Sequence, residues 1–401
     1  MTYHKKKPFA AKRLDNIPPY LFAEIDKKKE AALAKGIDII NLGIGDPDKP
    51  TPEHIVKVMH EALDDPSTHN YPPYQGTPEY RQACVDWFSR RFNLAAFDRD
   101  SECLALIGMK EALHNLFLAV VDEGDYTLIP NPAYPVYKTS TILAGGEYHF
   151  MPLRAENNFI PDLGEIPEEI AQKAKLMLLN YPNNPTGRFA TLDFFKEAVA
   201  FARKHEILLC HDAAYSEVYF DEASKPLSIF EVEGAHDVAI EMFSLSKGYN
   251  MTGWRVGFAV GNAEAVKALS TTKTNIDSGI FKAIQKASIH ALSADPVHLP
   301  EMRRIYRERA KAAEDGLRSL GWEIKPQDEC NGTLYIWQPI PRKYSSSMEF
   351  VGDMLDKCGI VVPPGVGYGE YGEGYFRIAL SAPAERITEA ISRMKEAGLT
   401  Y

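Results

Sequence analysis

Through the middle of the chain, short apolar runs at 103–107, 126–129, 176–179, 207–210, 239–243 and 256–260 alternate with longer stretches. Two of those stretches, 110–121 and 194–204, carry apolar residues at helical spacing. Runs this short and this largely apolar, Thr127 and Glu241 apart, suit strands buried on both faces. Joining parallel strands takes a crossover of a dozen or more residues, usually a helix. The pattern therefore predicts an α/β fold with a mostly parallel sheet covered by helices.

The pattern changes near residue 295. A charged helical repeat covers 300–320, candidate strands follow at 334–337, 360–362 and 375–380, and a last helix closes the chain. A length of 401 residues is too great for one simple core. The expected division is an N-terminal segment 1–45 packing with the small domain, a large domain 46–294, and a smaller α+β domain 295–401.

A net charge of -10 argues against nucleic acid as a partner, because phosphate backbones are held by clustered Lys and Arg. The dense basic run, Lys5, Lys6, Lys7, Lys12 and Arg13, reads as a solvated terminus. It is followed by Asp15, Asn16, Pro18 and Pro19 rather than an apolar stretch, so no signal peptide is expected. No apolar run is long enough for a membrane span, and the five cysteines are scattered without a CxxC pair. The composition points to a cytoplasmic protein with reduced thiols, no metal site and no membrane association.

In a parallel sheet the C-terminal strand ends share one edge, and ligands bind in the crevice there. Four features fall just after predicted strands. Ser244-Leu245-Ser246-Lys247 follows 239–243, and Arg255 stands eight positions after the lysine. Alone, Lys247 reads as a surface residue. Beside two hydroxyls and an arginine it becomes a candidate Schiff-base lysine next to a phosphate clamp. Asp212 and Tyr215, at the end of 207–210, can serve a pyridine nitrogen and a ring oxygen, although an aspartate there also reads as a helix N-cap. His211 reads as structural. Asn180-Tyr181-Pro182-Asn183-Asn184-Pro185-Thr186-Gly187 is a tight turn that can present an amide to a ligand. Gly108-Met109-Lys110 opens a helix, where backbone N–H groups attract phosphate. Farther on, Arg377 lies inside an apolar strand, where it needs either an internal acid or a substrate carboxylate.

Taken in order, Asn184-Pro185-Thr186-Gly187, Asp212 with Tyr215, Ser244-x-Ser246-Lys247, Arg255 and Arg377 resemble the motif set of the fold-type I pyridoxal-phosphate aminotransferases. The resemblance spans almost the whole chain and implies a large domain with a mostly parallel seven-stranded sheet. It implies pyridoxal 5'-phosphate as cofactor, held covalently by Lys247, with Asp212 on the ring nitrogen and Tyr215 and Asn184 on the ring oxygen. Gly108, Met109, Lys110, Ser244, Ser246 and Arg255 match the phosphate-binding positions, and Tyr134 matches the aromatic residue that stacks on the ring. Arg377, with Asn184 and Gly45, matches the substrate-carboxylate site. Tyr71 matches a tyrosine that reaches the phosphate of the neighbouring subunit, which implies a homodimer with shared sites.

Within that family, Tyr20-Leu21-Phe22, Leu42-Gly43-Ile44-Gly45-Asp46, Tyr134-Pro135-Val136-Tyr137 and the stretch from Tyr249 to Arg255 look most like the bacterial LL-diaminopimelate aminotransferases. Those enzymes exchange an amino group between LL-diaminopimelate and 2-oxoglutarate in a ping-pong reaction that leads to lysine through tetrahydrodipicolinate. Tyr20 and Tyr74 then belong to the substrate end of the pocket. Tyr74 is a departure, since plant-type members carry a glutamate there. An alanine, aspartate or aromatic aminotransferase and a β-lyase are the competing enzymatic readings. A regulator with an aminotransferase-like domain is the non-enzymatic one, and it would need a basic DNA-binding region that this chain has no room for before Tyr20.

Overall fold

The computed structural model describes residues 9–17, 21–34, 36–295, 297–326 and 329–401. Tyr20 and Lys5, Lys6 and Lys7 lie outside the described residues. Among the described residues eleven strands form: β1 Ile40–Asn41, β2 Cys103–Leu106, β3 Tyr126–Asn131, β4 Glu147–Pro152, β5 Ala174–Leu179, β6 Leu208–Asp212, β7 Ala239–Ser244, β8 Gly257–Gly261, β9 Tyr335–Pro339, β10 Ile360–Val361 and β11 Tyr375–Ala379. Seven of them make one sheet in the order β2-β8-β7-β6-β5-β3-β4, in which β8 alone runs against its neighbours. All six apolar runs read from the sequence fall on strands of this sheet. The seventh, β4, was missed because it is an edge strand carrying Glu147, Tyr148 and His149, of which only Met151 is fully buried.

Helices cover both faces, and their boundaries have local causes. Helix Leu192–His205 starts where the Thr191 hydroxyl accepts from the Phe194 N–H at 3.1 Å, and it buries Phe194, Phe195, Ala198, Val199 and Ala202 as one stripe. Arg203, Lys204 and His205 in its last turn oppose the negative end of the helix dipole. One core packs under this face around Phe88, Phe195 and Phe258, and another on the opposite face around Leu113, Leu116 and Leu269.

A further core gathers Trp322, Phe350, Phe376 and one stripe of helix Leu299–Ser319 around the antiparallel pair β9–β11. Strand β1 pairs with β10, and Ile40 and Leu42 bury in this same core. Arg309, only 3% exposed, holds Asp48 through two 2.7 Å bonds and also donates to the Leu380 carbonyl at 2.8 Å. That bidentate pair pins the segment after β1 against the last core.

Candidate active site

The strands bring their polar ends to one edge. β5 leads into Asn180, β6 ends on Asp212, and β7 ends on Ser244, immediately before the short helix Leu245–Gly248 that carries Lys247. Because β8 runs the other way, its beginning lies at this edge, and Ser244 pairs with Gly257, two residues past Arg255. Asn180, Asp212, Ser244, Lys247 and Arg255, together with Gly45, Met109, Lys110, Tyr134, Asn184, Tyr215, Ser246 and Arg377, line a cavity of about 440 Å³.

Lys247 donates from Nζ to the Gly45 carbonyl at 2.5 Å. Asp212 is 5% exposed, and its carboxylate accepts from the Tyr137 hydroxyl at 2.8 Å and from the Ala214 N–H at 3.3 Å. The contact with Ala214 is an Asx-turn bond rather than the helix cap weighed for this aspartate, because the next helical segment after β6 is Glu222–Ser224. Burial pushes its carboxyl above the ordinary aspartate range, and the bond from Tyr137 opposes that shift. Asn180 braces the strand end by donating to the Asp212 carbonyl at 2.7 Å, and it accepts from the Asn184 N–H at 2.9 Å. His211 points away from the cavity, with its ring nitrogens 2.9 Å from the Glu241 carboxylate and 2.9 Å from the Tyr181 carbonyl, as a structural histidine does.

Gly108 precedes helix Met109–Val120 at φ +75°, and a Cβ there would lie 2.1 Å from an Arg255 guanidinium nitrogen. The close approach sets Arg255 beside the helix N-terminus, with Ser244 and Ser246 on the same wall. Positive charge, N–H groups and hydroxyls converge there as an anion cradle.

Arg377 is 4% exposed and donates to Asn184 Oδ1 at 2.9 Å and to the Gly43 carbonyl at 2.6 Å, while its buried Nε has no partner among the described residues. Its guanidinium carbon lies 4.0 Å from the Tyr335 ring centroid and 5.0 Å from that of Tyr368. Both oxygen partners are neutral, so the internal ion pair weighed for this arginine is not what holds it.

Tyr71 and Tyr74 are not on the cavity wall of this chain; they are 85% and 52% exposed. Conversely, Tyr335 and Tyr368 line it without having been singled out, and Tyr137 and Asp46, quoted only within longer motifs, line it without having been given a role. Tyr137 had a signal, because it stands one helical turn after Tyr134. Tyr335, which opens β9, and Tyr368, which ends the short helix Gly365–Tyr368, had none.

Behind the cradle, Lys273 is fully buried and donates to Asp277 at 2.5 Å, and Asn115 donates to Glu111. Glu111 Oε2 and Asp277 Oδ2 are buried without a donor among the described residues. Burial, opposed by Lys273 and reinforced by Asp277, pushes the Glu111 carboxyl up to about 7. A raised carboxyl pKa favours folding below the unfolded value of about 4.5, and that contribution is lost as pH rises toward 7. Glu111→Gln is therefore expected to melt above the wild type at pH 8, by about 2 °C or more, and alongside it near pH 4.5. Thermal melts at the two pH values check this, and an equal difference at both would rule it out.

A seven-stranded α/β sheet with an amine, an anion cradle, a buried carboxylate and a buried arginine held by neutral oxygens around one cavity defines a class, and the comparisons agree. Residues 37–394 match the sequence model of the family described as aminotransferase class I and II, and the chain belongs to that family. It is 60% identical to an LL-diaminopimelate aminotransferase of Gloeobacter violaceus, across 98% of this chain and 99% of that one. It is 49% identical to the enzyme of that name from Moorella thermoacetica, across 96% and 97%. Among solved structures, substrate-bound BacF from Bacillus subtilis superposes with a TM-score of 0.93 at 36% identity, covering 98% of this chain and 99% of that one. A probable N-succinyldiaminopimelate aminotransferase from Thermus thermophilus gives 0.87 at 34%, covering 94% and 100%.

Proposed function

We propose that this chain is a pyridoxal-phosphate enzyme that moves an amino group between LL-diaminopimelate and 2-oxoglutarate, yielding tetrahydrodipicolinate and glutamate. Identity of 60% to LL-diaminopimelate aminotransferases over nearly the full length supports the substrate. The site observation that carries the reading is Arg377, a buried cation whose Nε has no partner among the described residues, in the cavity that also holds the Lys247 amine. A planar guanidinium with an open edge matches a carboxylate.

The cavity residues fit the cofactor. Asp212 is a buried carboxylate whose partners are neutral, so a ring N–H⁺ would relieve its desolvation. Ser244, Ser246, Arg255 and the N-terminus of helix Met109–Val120 suit a phosphate, Tyr134 suits the ring face, and Lys247 suits the aldehyde. Pyridoxal phosphate, when bound, supplies a carbonyl that links to amines and a ring that takes up the electron pair released at Cα. Asp212, fixed by Tyr137, keeps a proton on the ring nitrogen. Tyr215 and Asn184 serve the ring oxygen. Arg377 orients the substrate through its α-carboxylate, and Lys247 takes the proton from Cα and returns one in the second half of the cycle.

The same reading makes the protein a homodimer in which Tyr71 serves the neighbouring subunit; its 85% exposure supports that role. Tyr20 and Tyr74 belong to the distal substrate end. The chain divides at about residues 45 and 294, and the pairing of β1 with β10 supports assigning the first segment to the smaller domain.

Purified protein loaded with pyridoxal phosphate is expected to lose its visible absorption band when LL-diaminopimelate is added without any oxo acid, and to regain it with 2-oxoglutarate. If alanine or aspartate bleaches the band and LL-diaminopimelate does not, the substrate assignment falls and the aminotransferase class stands.

A further inference from the structure

Tyr335 opens β9, which pairs antiparallel with β11 so that Tyr335 faces Ala379 and Trp337 faces Arg377. Residues two apart on a strand share a face, which makes Tyr335 the diagonal neighbour of Arg377. The guanidinium carbon of Arg377 sits over its ring, 4.0 Å from the centroid, and Tyr335 is only 3% exposed. At its other end the hydroxyl stands 2.8 Å from the Tyr215 hydroxyl, with the two rings edge to face at 5.4 Å. Gly45 closes over the same hydroxyl, so tightly that a Cβ there would lie 2.0 Å from it. One side chain from the last core thus touches both the carboxylate-binding arginine and a tyrosine that follows β6 in the large sheet.

A phenol carries one proton. If Tyr215 donates to Tyr335, that proton is unavailable to a ligand. If Tyr335 donates instead, Tyr215 keeps its proton for a ring oxygen and becomes the stronger donor, because linked hydrogen bonds polarise one another. Burial and the neighbouring Tyr335 push the Tyr215 phenol well above its ordinary range, so it remains a donor at neutral pH.

Building on the function proposed above, we infer that Tyr335 is a positioning residue with two separable actions. Its hydroxyl donates to Tyr215 and strengthens the bond from Tyr215 to the cofactor ring oxygen. Its ring face seats the Arg377 guanidinium edge-on to the incoming carboxylate, where an aromatic face contributes to holding a desolvated cation.

Tyr335→Phe removes the first action and keeps the second, whereas Tyr335→Leu removes both. Two readouts other than turnover separate them: the pH midpoint of the visible band of the bound cofactor, and calorimetric binding of glutarate, an unreactive dicarboxylate, to the loaded protein. A donor at the ring oxygen stabilises its anionic form, so weakening that donor raises the midpoint. Tyr335→Phe should raise it by about half to one pH unit and leave glutarate affinity within about twofold of wild type. Tyr335→Leu, or Tyr335→Met if the leucine variant does not fold, should raise the midpoint and also weaken glutarate about tenfold. A Phe variant with a lower melting temperature but an unmoved midpoint would show a merely structural hydroxyl and overturn the first action. Unchanged glutarate affinity in the Leu or Met variant would overturn the second. Wild-type protein that gains no visible band with pyridoxal phosphate would instead overturn the cofactor reading, and this inference with it.

Discussion

Lys247→Ala is expected to lower turnover by at least about a thousandfold while leaving the melting temperature of the protein nearly unchanged. The amine would lose two roles at once, the covalent link to the cofactor and the proton transfer at Cα, and neither passes to a neighbour. The other lysine on the cavity wall, Lys110, belongs to the first turn of helix Met109–Val120, on the cradle side. The structural cost is small because Lys247 is partly exposed and its recorded bond is the one to the Gly45 carbonyl. Steady-state kinetics and a thermal melt on the same preparation check both halves. A variant that turned over at the native rate would remove Lys247 from the mechanism.

Arg377→Ala is expected to raise KM for the amino donor by about a hundredfold or more. Charge-assisted bonds to a carboxylate contribute about 1.5–3 kcal/mol each, and a carboxylate bound in a water-poor cavity without its cation adds a desolvation penalty. Arg377→Lys keeps the charge and loses the fork, since an ammonium cannot present parallel N–H groups while also reaching Asn184 and Gly43. It should fall between alanine and wild type, by roughly tenfold in KM. Equal KM values for wild type and Arg377→Ala, measured with LL-diaminopimelate and with any other donor the protein accepts, would show that the substrate carboxylate binds elsewhere.

Much of this site is legible before folding because its residues sit at strand ends, where local sequence marks them. Asp212 closes an apolar run, Lys247 follows one by four residues, and Gly108 separates a third from a helix. Each position is tied to a strand whose burial is written into its own composition. The edge strand β4 shows the limit of that reading: half exposed and carrying charge, it has no apolar run to read, and it joins the sheet only because β3 offers a free edge.

Tyr335 and Arg377 mark the boundary most clearly. That Arg377 needs a partner follows from one arginine within an apolar strand. That its partners are Asn184, the Gly43 carbonyl and the face of Tyr335 depends on residues 193, 334 and 42 positions away in the chain. The fold class, the edge of the sheet that carries the chemistry and most of the residues that line it were therefore determined by local pattern, since strand burial and helix starts are short-range properties. Which tyrosine touches which site residue, and that Tyr71 and Tyr74 face outward from this chain's own cavity, were decided by the tertiary structure alone. Cross-strand register and the packing of one core against another bring together residues whose proximity no local sequence can encode.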